Sequence, residues 1–218
     1  MPPISNDFLG GPLPFFHGTS MLFLDSIRKN GLGGRDLVKE WNVLEILRMV
    51  NNCGPDISAE VPSLAYNIES ILQGKLEWQY GRCYVTSDLN RATLASSQPR
   101  GELIHQLYRL IEREKVILEC IPDPQGLIRR FRSAIDILES QVKSPTEPVI
   151  LKIRELNYDE VSLTDGSQVD NLTFGSYLYG VNLHVKSPIP WDRIQIMNPE
   201  DQKTTRSWLD ERSDRWLV

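Results

Sequence analysis

The sequence predicts an α+β fold built on antiparallel sheet, and three observations carry that prediction. Two short apolar stretches, around Phe15-Phe16 and Cys83-Tyr84-Val85, each break into a polar cluster followed by a helical pattern. Amphipathic helical stripes dominate the middle of the chain, whereas its last third turns to alternating strands. Strands and helices mix without the βαβ rhythm that marks a parallel sheet.

The first element is a strand at Phe15-Phe16 that runs into a polar turn at His17-Gly18-Thr19, after the extended lead-in Gly10-Gly11-Pro12-Leu13-Pro14. Leu22, Phe23, Leu24 and Ile27 follow at helical spacing to about Lys29, and Asn30-Gly31-Leu32-Gly33-Gly34 stops the helix. From Asp36 one helix is expected, with Leu37, Trp41, Leu44, Leu47 and Met49-Val50 as its apolar stripe, ending at Asn51-Asn52-Cys53-Gly54-Pro55. A further helical piece runs from about Pro62 to Gly74 through Leu64, Ile68, Ile71 and Leu72.

Gly81 to Asp88 reads as a second strand ending in Thr86-Ser87-Asp88, with Ser87 or Asp88 as N-cap of a helix through Ala92 and Ala95. Residues 101–120 form an amphipathic helix running into a strand at Val116-Ile117-Leu118, and another helix spans about 127–142. Strands follow at Pro148 to Ile153, at Val161-Ser162-Leu163 before the turn Asp165-Gly166-Ser167, at Tyr177 to Val185, and after Pro188-Ile189-Pro190 through Ile194 to Ile196. The piece from about 199 to 218 carries Trp208 and Trp216 and reads as a docking helix. All of this fits a single domain over residues 1–218, with helical insertions at about 36–80 and 99–146.

Composition is that of a soluble globular protein, 40% hydrophobic and 24% charged, and the formal charge of −5 argues against nonspecific coating of nucleic acid or anionic membrane. Cys53, Cys83 and Cys120 are odd in number and far apart, which suggests neither a disulfide framework nor a zinc site. His17, His105 and His184 have no metal-ligand spacing, so no metal is expected. The N-terminus lacks a basic and apolar leader, and no apolar run nears the roughly 20 residues a membrane span needs; a cytoplasmic protein without membrane contact is expected.

A histidine at the end of a buried strand, beside a glycine that admits a ligand to the backbone and a hydroxyl that can cap the next helix, suits a small polar ligand. An ordinary N-cap at Thr19 or Ser20 with His17 as a core imidazole is the plainer alternative. Arg129, Arg130 and Arg132 read as a solvated face or as a patch for phosphates.

Phe16-His17-Gly18-Thr19 with Ile27 and Asn30-Gly31-Leu32, Cys83-Tyr84-Val85-Thr86 with Ala92 and Ala95, and the late strands from Val149 to Ile153 and Val185 to Ile194 together resemble the ADP-ribosyltransferase superfamily, in its PARP-like and toxin-type forms. The resemblance implies a split antiparallel sheet and NAD as co-substrate. It implies that His17 hydrogen-bonds the adenosine ribose, that Gly18 offers its backbone to the nicotinamide carboxamide with Thr19 assisting, and that Tyr84 stacks on the nicotinamide. The reaction implied is transfer of ADP-ribose to a macromolecular acceptor, RNA, DNA or protein, in the manner of a bacterial toxin or effector with a possible antitoxin. Nicotinamide leaves a pyridinium as a neutral molecule, so this chemistry asks for positioning and for stabilisation of an oxocarbenium-like centre rather than for a general acid.

The chain departs from the family where it places its catalytic Glu: Asn182 or His184 stands there. Either another acid such as Glu155 or Glu160 serves, or Asn182 replaces it by hydrogen-bonding a ribose hydroxyl, or the domain binds NAD without reacting it. Ala95 stands where some relatives carry a second stacking ring. RNA 2′-phosphotransfer to NAD, with Arg35 and Arg82 as phosphate-gripping candidates, and a non-catalytic binding module are the other readings.

Overall fold

The computed structural model describes residues 14–51, 70, 73, 83–98, 100–113, 123, 125–143, 147–156, 158–169 and 182–205. Among the described residues six strands form one sheet: β1 (Phe15–Ser20), β2 (Tyr84–Thr86), β3 (Pro148–Ile153), β4 (Val161–Ser162), β5 (Asn182–Val185) and β6 (Ile194–Ile196). Their order is β4-β5-β2-β1-β3-β6, and every neighbouring pair is antiparallel. The chain is thus α+β with antiparallel sheet.

β1 lies inside the sheet, with Phe15 buried on one face and Phe16 on the other, and it pairs over its whole length with β3, from Phe15↔Ile153 to Ser20↔Pro148. The expected polar turn at His17-Gly18-Thr19 is strand instead, and helix α1 (Met21–Asn30) starts at once after Ser20. The cause is long-range: His17, Gly18 and Thr19 sit opposite Leu151, Ile150 and Val149, so the ladder rather than local polarity decides their backbone. Gly31, at φ 79°, ends α1 in a conformation that favours glycine, and its amide bonds back to Ile27 O at 2.9 Å. Leu32 and Ile189 then exchange backbone hydrogen bonds of 2.8 and 3.0 Å, tying the exit loop to the segment before β6.

The single helix expected from Asp36 is two, α2 (Leu37–Glu40) and α3 (Val43–Asn51). Asn42 separates them at φ 53°, a left-handed conformation that asparagine tolerates better than most residues. Three more helices follow: α4 (Leu89–Ser96), α5 (Glu102–Arg113) and α6 (Leu127–Ser140). Residues 199–205 are also helical. Expectations for residues 1–13, for the strand at 116–118 and for Trp208 and Trp216 fall outside the described residues, as do those for the helix at 62–74, apart from Ser70 and Gln73.

Three apolar clusters hold these elements. One face of the sheet, with Phe15, Val85, Leu151 and Leu183, packs on Leu24 and Ile27 of α1. On the other face Phe16 and Ile150 meet Leu89 and Ala92 of α4 and Met197. The third cluster is wholly helical: Ile46 and Leu47 of α3, Leu107 and Ile111 of α5, Phe131 and Ile135 of α6 are all essentially buried. The two stretches read as separate insertions therefore pack on each other. Arg100 reinforces that body, donating from Nε to Glu139 at 2.7 Å with its guanidinium carbon 3.9 Å from the Tyr108 ring centre.

Candidate functional site

The geometry of interest lies where β1 and β2 part. The Met21 amide donates to Glu147 O at 3.0 Å, extending the β1–β3 ladder by one step. In an antiparallel ladder, backbone groups of successive residues alternate between the two neighbouring strands. Phe15, His17 and Thr19 therefore turn their amides and carbonyls to β3, while Phe16 and Gly18 turn theirs to β2. On the facing strand the Val185 amide donates to Cys83 O at 2.9 Å, which directs the backbone of Tyr84 and Thr86 toward β1.

These facing edges are in register at the one pair Phe16↔Thr86. One step further, the link is a side chain: His17 Nδ1 donates to the Tyr84 carbonyl at 2.7 Å. A carbonyl can only accept, so Nδ1 carries the proton. Burial pushes the His17 pKa down, against a smaller upward pull from the Tyr84 carbonyl, so the ring is neutral near pH 7 and its Nε2 is a lone-pair acceptor. The amide and carbonyl of Gly18 face β2 beside this link.

Register also sorts the side chains. His17 shares a face with Val85 and Leu151, whereas Tyr84 shares the α4 face with Gly18, Thr86, Asn182, His184 and Ser162. The two residues expected to line one pocket meet through the Tyr84 backbone, and their side chains leave on opposite faces of the sheet. Thr19 is buried on the His17 face. Opposite Tyr84 on β5 stands His184, their ring centres 5.9 Å apart and tilted by 52°. Ser162 Oγ lies 3.3 Å from His184 Nδ1. Ser162 was not among the expected residues, although the alternation Val161-Ser162-Leu163 already turns it away from its apolar neighbours.

Gly18 has a reason for being glycine that needs no ligand. A Cβ built there would stand 1.9 Å from the Ala92 carbonyl oxygen and 2.6 Å from the Ser96 nitrogen, both α4 backbone. Its hydrogen lets α4 lie directly on β1. That helix starts as expected: Asp88 is the N-cap, accepting from the amides of Asn90 and Arg91 at 2.8 and 3.3 Å, and its own amide donates to Thr86 Oγ1 at 3.1 Å.

At the position expected for an acid, Asn182 sits opposite Thr86 and is half-buried. The alternative acids lie elsewhere. Glu160 is held in a two-pronged pair with Arg193, at 2.6 and 2.9 Å, and the Glu155 carbonyl accepts from the same guanidinium. Arg35 is paired with Glu40 on the surface, and Arg82 lies outside the described residues. Of the α6 arginines, Arg132 pairs with Glu112 at 2.7 Å and Arg130 donates to Gln125 O at 2.9 Å. A groove of about 400 Å³ runs along α6 between Asp123, Ile128, Arg129, Arg132, Ser133 and Asp136. Its acids offset its bases, and Asp123 already caps the helix by accepting from the Leu127 amide at 2.6 Å. Cys83 is half-buried, and burial pushes its thiol up to about 12, which disfavours the thiolate. Among the described residues no helix is long and apolar enough to cross a membrane, and no group of three His, Cys, Asp or Glu residues gathers as metal ligands would.

No protein-family model, no curated protein and no solved structure matches the chain.

Proposed function

We propose that the junction of β1 and β2 binds NAD and that the protein transfers ADP-ribose from it to a macromolecular acceptor. One observation carries this reading: β1, β2 and β5 are adjacent in the sheet, and beyond Phe16↔Thr86 the first two are bridged by a histidine side chain. Of the segments that resemble the ADP-ribosyltransferase pattern, the first two are β1 and β2; of the late ones, Val149 to Ile153 lies in β3, which pairs with β1, and Val185 to Ile194 begins at the last residue of β5. In the proposed complex His17 Nε2 accepts a hydrogen bond from the adenosine ribose, and the Gly18 amide and carbonyl meet the carboxamide. Tyr84 supplies its ring for the nicotinamide. Asn182 hydrogen-bonds a ribose hydroxyl in place of a carboxylate.

In the reaction the bond between C1′ and the nicotinamide nitrogen breaks, and nicotinamide leaves with the electron pair as a neutral molecule. A hydroxyl, amine or amide of the acceptor then bonds to C1′ and gives its proton to solvent. Holding NAD in a reactive shape is the main service asked of the protein.

The test is incubation of the purified protein with NAD labelled on its adenylate phosphate and a cell lysate, followed by separate nuclease and protease treatment. Macromolecular label that His17→Ala abolishes supports the transferase. Label that resists protease but not nuclease assigns a nucleic-acid acceptor, and the reverse assigns a protein. No label, with His17→Ala indistinguishable from the parent, overturns the reading for these acceptors.

A further inference from the structure

We draw no further inference here: the strongest candidate, the groove along α6 in the helical body, is lined by exposed Arg129, Ser133 and Asp136 whose charges offset one another, and nothing in the structure shows what would occupy it.

Discussion

The two strand-to-helix junctions look alike in the sequence and are built by different physics. At β1–α1 the polar residues continue the ladder: His17, Gly18 and Thr19 are strand, Ser20 stands at the N-cap position without a capping side-chain bond, and the Met21 amide is taken by Glu147 O. At β2–α4 the strand is short, and side chains do the fixing, through Asp88 on the amides of α4 and Thr86 on the Asp88 amide. The first junction is determined by a strand more than a hundred residues away and the second by its own neighbours. Local polarity therefore predicts a turn correctly only where no long partner strand is waiting.

The largest effect separates them most clearly. Gly18→Ala would drive a methyl into α4 backbone, which cannot swing aside as a side chain would, and should cost about 3 kcal/mol or more by denaturant titration. A cost under about 1 kcal/mol would show that α4 does not sit on β1 as described. Next comes Asp88→Ala, which removes a cap the second junction depends on and should cost about 1 kcal/mol, recovered in large part by Asp88→Ser. Thr86→Val keeps the shape and removes only the acceptor for the Asp88 amide, for an expected cost of about 0.5–1 kcal/mol.

The smallest effect is visible only in acid. Burial holds the rings of His17 and His105 below their ordinary value of about 6.5, with the charges of Arg100 and Arg109 adding to the effect at His105. Well above pH 6.5 both rings are neutral in the folded and unfolded chains and cost nothing. As pH falls through that value the unfolded chain takes up protons the folded one does not, so stability is lost toward acid. In denaturant titrations at pH 7.5 and 5.5, His17→Gln should lose less stability between the two than the parent does. An unchanged loss would mean that His17 is not shielded from protonation.

Much of this was legible in the residues, and what was not has a common cause. The strand Pro148 to Ile153, the turn at Asp165-Gly166-Ser167 and the N-cap at Asp88 are local: periodicity or a neighbouring acceptor specifies each of them. The amphipathic stripes of α3, α5 and α6 announced that each needed a partner, but not that the partners were one another. His17 and Tyr84 were identifiable as a pair, whereas their opposite side-chain faces follow from register, which no single segment contains. Gly18 was read for ligand access, and its contact with Ala92 and Ser96 shows a packing requirement at the same atom. Glu160 seemed available as an acid because Arg193, which holds it, is 33 positions further along the chain.

The central claim is that the ligand enters where His17 bridges β1 to β2, and nitrogen-resolved NMR of the protein during an NAD titration tests it most directly. The free protein should show His17 as the neutral ring protonated at Nδ1, and NAD should shift that ring's Nε2 together with the Gly18 and Tyr84 amides. Shifts that instead gather along α6 at Ile128, Arg129 and Ser133, with His17 unmoved, would place the ligand in the groove of the helical body and contradict the account.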